Sequence, residues 1–174
     1  MVNSSLFRRI QLQLLMNLTA RALGVKSVRL WTRNNAEALQ IYATFTAKHL
    51  QTGADEVLLQ RMNSEALKMG RLLRLLFFVR SKPRAQRLII ALYHNIGIQL
   101  SFAADGQLCF HRCYFSRHYT PAACRAASML DDGIICGIMH HPARSLCFSQ
   151  RLTEGCRCCK ASLQNTTQKQ DICS

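Results

Sequence analysis

Apolar side chains recur at helical spacing through roughly the first half of the chain and then switch to alternation. The sequence therefore reads as helices followed by a sheet. Residues 4–24 carry Leu6, Ile10, Leu14 and Leu18 four apart, with Gly24 as a stop, which predicts an amphipathic helix with that stripe on the core. A connector holding Trp31 follows. Asn34 or Asn35 then caps a second helix that Gly53 closes, its core stripe being Ala38, Ile41, Tyr42 and Phe45. A third helix starts near Asp55, has a weak point at Gly70 and stops at Ser81-Lys82-Pro83; a fourth covers 84–94.

The period changes at Ile96, Ile98, Leu100 and Phe102, which alternate with Gly97, Gln99 and Ser101 as in a strand with one buried face. Asp105-Gly106 suits a hairpin turn into a second strand over 107–115. Thr120-Pro121 opens a helix expected to run to Asp132 and to close at Gly133. Segments 134–139, 145–152 and 156–163 read as three more strands, and 164–174 as a flexible polar tail. The expected fold is α+β: N-terminal helices followed by a β-β-α-β-β-β antiparallel sheet packed against helices. One domain spans 1–163, with a helical part over 1–95 and a cysteine-rich sheet part over 96–163.

Almost half of the 174 residues are apolar (49%), enough for a sizeable core, so wholesale disorder is excluded. Arg8, Arg9, Gln11 and Gln13 interrupt the region that a signal peptide would keep apolar. The nine cysteines are odd in number, and the expectation is a reducing, cytoplasmic setting with free thiols. The net charge of +14 is uneven: residues 1–100 hold 15 Lys/Arg against 4 Asp/Glu, and residues 101–174 hold 8 against 5. Within 68–87, Lys68, Arg71, Arg74, Arg80, Lys82, Arg84 and Arg87 occur with no acid among them, interleaved with leucines and Phe77-Phe78. That stretch is either a solvated basic face or a contact for an anionic membrane surface, with nucleic acid less favoured because no nucleic-acid motif accompanies it.

Eight of the nine cysteines lie between 108 and 163. Cys109, His111 and Cys113 would share one face of a strand, the outer two roughly 13 Å apart, too far for one metal ion unless a bulge bends the strand. Cys156, Cys158 and Cys159 form a denser group, which Cys113, Cys124 or Cys147 would complete as a site for zinc, manganese or an iron–sulfur cluster. Buried free thiols are the competing explanation. For covalent catalysis, Cys124 in the first turn of the 121–132 helix is the candidate nucleophile. His111 or His118 would be its base, and Asp131 or Asp132 would orient the histidine. Arg151, Glu154 and Arg157 flank a tight turn, where paired arginines could hold a carboxylate. No P-loop, GxGxxG, HExxH or GxSxG occurs, which sets aside the commonest nucleotide, zinc-protease and esterase chemistries.

The segment LCFSQRLTEGCRCCKA, residues 146–161, resembles the closing strand–turn–strand of the bacterial L-2-amino-thiazoline-4-carboxylate hydrolases and of the 4-vinyl-reductase small-ligand-binding domains. Gly155 with Cys158 or Cys159 stands at the matching positions, and Cys113, Cys124 and Asp131 look like the hydrolases' earlier pattern. The resemblance covers 108–163. It implies a compact α+β domain with a partly apolar pocket between the 121–132 helix and the sheet, taking a small-molecule ligand, and a ring-opening hydrolysis as activity. On that resemblance Cys124, Asp131 and His111 would be catalytic, and Cys113, Arg151, Glu154 and Cys158 would meet the ligand.

Overall fold

The computed structural model describes residues 4–164 apart from 31, 33 and 52. The connector's Trp31 and nearly all of the expected tail thus lie outside the described residues. Four helices come first: α1 (Ser4–Leu23), α2 (Asn35–Leu50), α3 (Glu56–Leu76) and α4 (Lys82–Asn95). The hairpin β1 (Ile98–Phe102) and β2 (Leu108–Cys113) follows, then α5 (Pro121–Met139), β3 (Leu146–Gln150) and β4 (Cys159–Leu163). The strands form one antiparallel sheet in the order β1-β2-β4-β3. Its inner face, including Ile98, Leu100, Leu108, Phe110 and Ala161, is buried in the core shared with the helices. No described helix is long and apolar enough to cross a membrane.

Helix starts follow the capping residues. The Asn34 side chain accepts from the Ala36 N–H, Asp55 from Leu58 and Thr120 from Ala123, each covering one of the orphan donors of a first turn. Helix ends use left-handed residues. α1, α3 and α5 each close with a hydrogen bond spanning six residues, Val25 to Ala20, Val79 to Arg74 and His141 to Cys136. The left-handed position is Gly24 in α1 but Phe78 (φ 48°) in α3 and His140 (φ 63°) in α5. A side chain there costs on the order of 1 kcal/mol relative to glycine.

The expected strand over 134–139 is instead the second half of α5, which passes Gly133 without stopping. Gly133 and Gly137 lie against α3 at backbone contact. A Cβ added at Gly133 would sit 2.5 Å from the Ala66 Cβ and the Asn63 carbonyl oxygen. One added at Gly70 would sit 2.4 Å from the Ile134 carbonyl oxygen. These glycines are neither a stop nor a weak point: they let two helices touch, and the packing gained offsets their poor helix propensity of about 1 kcal/mol each. The sheet accordingly has four strands rather than five.

Two further expectations shift. On α1, Leu18 is buried, but Leu6, Ile10 and Leu14 are about half exposed; Leu12, Leu15, Met16 and Ala22 face the core instead. Apolar residues cover more than one face of this helix, so spacing alone does not select the buried one. In β2, the pairing of Gln99 with Arg112 and of Leu100 with Phe110 leaves His111 as a bulged extra residue. Residues on either side of a bulge exchange faces, so Cys109 and His111 do not share a face with Cys113, which turns inward beside Ile98.

Candidate functional site

A cavity of about 340 Å³ lies between α5, the inner face of the sheet and the helices α1, α3 and α4. Dedicated ligand pockets run to about 300–1,000 Å³. Leu15, Leu73, Leu92, Ile98, Phe115 and Leu130 are typical of its walls. At one end Ile10, Leu14, Leu76 and Phe77 line the cavity and are also exposed, so it reaches the surface there.

The polar groups on the walls are few. From α5 come Asp131 and Cys124; from β2 and β4 come Cys113 and Cys159; Tyr42, Tyr93 and Tyr119 reach in from the surrounding elements. The Tyr93 hydroxyl donates to Asp131 Oδ1 at 2.8 Å. Burial raises the Asp131 carboxyl to about 6, even though the Tyr93 hydrogen bond and the charge of Arg151 pull it down. Burial likewise raises Cys113 to about 12 and Cys159 to about 11, so neither is a thiolate at neutral pH. Tyr42 is raised to about 12 by burial, its hydroxyl 3.1 Å from Thr19 Oγ1, and Tyr119 shares a hydrogen bond of 2.5 Å with Thr46. Thr153 also lines the cavity, and its buried hydroxyl has no hydrogen-bond partner among the described residues.

The structure brings Cys113, Cys124 and Asp131 to one cavity between α5 and the sheet. It does not bring His111 there: its Nε2 lies 2.7 Å from Ser101 Oγ on the exposed side of the hairpin. His118 packs on the Tyr114 ring with centroids 5.0 Å apart and is also absent from the walls. Among the described residues no histidine, lysine or arginine lines the cavity, and Asp131, two turns along α5 from Cys124, is the one carboxyl on its walls. Arg151 stacks on Phe148, 4.3 Å from the ring centroid, and Glu154 pairs with Arg125 at 2.6 Å on the surface. Cys156 and Cys158 lie in the turn before β4 rather than on a strand, and Cys159 is the member of that group that reaches the cavity. Among the described residues no three His, Cys, Asp or Glu side chains converge to hold a metal ion. Among the described residues seven cysteines are free, and Cys147 is disulfide-bonded, contrary to the expectation of free thiols throughout.

Asp132, the other candidate for orienting a histidine, is fully buried and does not line the cavity. It accepts from the backbone N–H groups of Arg144 (2.7 Å) and Leu146 (2.6 Å), from the Asn63 amide and from the Cys136 thiol (3.3 Å). That carboxylate fixes the 140–146 connection onto α5 and α3. The sequence reading missed Asn63 entirely, and it missed Tyr93 as the partner of Asp131. A buried phenol looks like any core aromatic in a sequence, so only the spacing of Tyr93 on its helix could have hinted at it.

No family model matches the chain, and no curated protein and no solved structure matches it.

Proposed function

We propose that this protein binds a small, mostly apolar molecule in the cavity and meets one polar end group of that molecule with the Asp131–Tyr93 pair. The observation that carries the reading is the contrast between a large apolar enclosure and a single titratable carboxyl within it, the pattern of a binding pocket with one orienting group. Thr153 offers a further hydrogen-bonding group, one without a partner among the described residues. Binding is favoured over hydrolysis, because the buried Cys113 and Cys159 thiols stay protonated and no described histidine lines the cavity to activate Cys124.

A dansyl-labelled fatty acid tests this directly. Below about pH 6 Asp131 is neutral and can donate to the probe's carboxylate; above it, two anions would face each other in an apolar site. Probe affinity should therefore fall as pH rises through about 6, and Asp131→Asn should remove that dependence. Ala127→Phe, which projects a ring from α5 into the cavity, should abolish binding while a thermal melt remains cooperative. Unchanged affinity in a folded Ala127→Phe protein would overturn the reading.

A further inference from the structure

We infer that the surface around the cavity mouth is a docking site for an anionic phospholipid bilayer. The inference stands on the surface itself and does not require the cavity to hold a ligand. Leu75, Leu76 and Phe78 at the end of α3 are 69%, 60% and 70% exposed. Phe77 packs edge-on against Phe7 of α1, with centroids 6.3 Å apart, so the half-exposed Leu6 and Ile10 belong to the same apolar patch. Scattered exposed apolar residues are ordinary, but a contiguous group of this kind marks a surface that meets another apolar phase. The backbone reinforces the point: Phe78 occupies the left-handed closing position of α3, which favours glycine, and holds its ring outward to solvent.

The charges around the patch select the partner. Arg71 precedes it on α3, and Arg80, Lys82, Arg84 and Arg87 follow it into α4; all five are exposed. None of the five has an acidic partner among the described salt bridges. The sequence from 66 to 104 contains no acid at all. Exposed apolar side chains flanked along the chain by exposed cations match the boundary between headgroups and acyl chains, where rings and leucines enter the apolar layer and arginines stay with the phosphates. A nucleic acid would use the cations and leave Leu75, Leu76 and Phe78 in water. A second copy of this chain would bring two sets of like-charged flanking residues towards each other. Geometry also agrees: Ile10, Leu14, Leu76 and Phe77 belong both to this surface and to the cavity wall, so the cavity mouth would face the bilayer.

The test is co-sedimentation of the intact protein with phosphatidylcholine vesicles, with and without phosphatidylserine, at low and high salt. The expected result is partitioning onto the phosphatidylserine vesicles only, weakened by salt. Each cation near such a surface is worth about fivefold, so the double change Arg80→Glu, Arg84→Glu should reduce partitioning by at least tenfold. Phe78→Gly should reduce it about tenfold through lost apolar burial, without harm to the fold because glycine suits that backbone. Three results would overturn the inference: no binding to either vesicle, equal binding to neutral vesicles, or binding that the charge reversals weaken but Phe78→Gly leaves unchanged. A Phe78-dependent dimer in light scattering without vesicle binding would assign the patch to a second copy instead. Tighter binding to duplex DNA than to the vesicles, unaffected by Phe78→Gly, would assign it to nucleic acid.

Discussion

Asp131 and Asp132 are neighbours in the chain, and α5 sends them to different surroundings. Asp132 faces the helix–helix contact and is saturated, with two backbone N–H groups, an amide and a thiol directed at it. Asp131 faces the cavity and has one phenol, and burial holds its carboxyl at about 6. The difference separates a carboxylate built into the scaffold from one left for something else. A buried acid with its donors in place is a structural joint; a buried acid short of donors in an apolar cavity is a poised binding group.

Removing the saturated carboxylate should therefore cost most. Asp132→Ala strands two backbone N–H groups and one of the two N–H groups of the Asn63 amide, the amide keeping its bond to the Met129 carbonyl; at about 1–3 kcal/mol each, a loss of about 3–5 kcal/mol is expected in urea unfolding. Asp131→Asn should act in the opposite direction at high pH. An acid whose folded pKa lies above its unfolded value holds more protons in the folded state, so stability falls as pH rises, here between about 4 and about 6. The asparagine variant should lack that fall and be more stable than the parent at pH 8 by on the order of 2–3 kcal/mol. Equal pH profiles for the two proteins would remove the distinction between the aspartates.

Gly137 probes the crowded side of α5 without touching a charge. An added Cβ would sit 2.7 Å from the Arg71 nitrogen and the Leu67 carbonyl oxygen, both backbone atoms that cannot step aside. Gly137→Ala should destabilise by about 2 kcal/mol despite alanine's better helix propensity. A stabilised variant would mean that α3 and α5 can separate, and that the closed side is looser than its hydrogen bonds indicate.

How far the sequence discloses all this depends on whether each signal is local. Asn34, Asp55, Thr120 and the Asp105-Gly106 turn act within a few residues, and the elements they start or join are where the pattern places them. Gly133 carries opposite meanings depending on a partner about seventy residues away on α3, so an apolar run such as 134–139 reads equally well as strand or buried helix. The bulge at His111 leaves no mark in the alternation, yet it decides which of the Cys109–His111–Cys113 group faces inward. Cys124 and Asp131 reach the cavity because they lie on α5, whose start Thr120 marks, whereas Cys113 turns inward only through the bulge. The exclusion of His111, the exchange of Cys158 for Cys159 and the pairing of Asp131 with Tyr93 all depend on tertiary placement.

The smallest expected effect sets the scaffold against the surface. At Phe78 the backbone is left-handed, so Phe78→Gly relieves a cost on the order of 1 kcal/mol, and the exposed ring contributes little burial in return. Glycine also gains freedom in the unfolded chain, which returns part of that gain. A rise of up to about 1 kcal/mol in unfolding free energy is expected. His140, the other non-glycine residue at such a closing position, serves as the control: His140→Gly should bring a similar gain without touching the patch at the end of α3. If both glycine variants are stabilised and only Phe78→Gly loses vesicle binding, the strain at Phe78 is maintained for its exposed ring. If Phe78→Gly is instead destabilised, the ring supports the fold through its contacts, and its exposure no longer argues for a docking role.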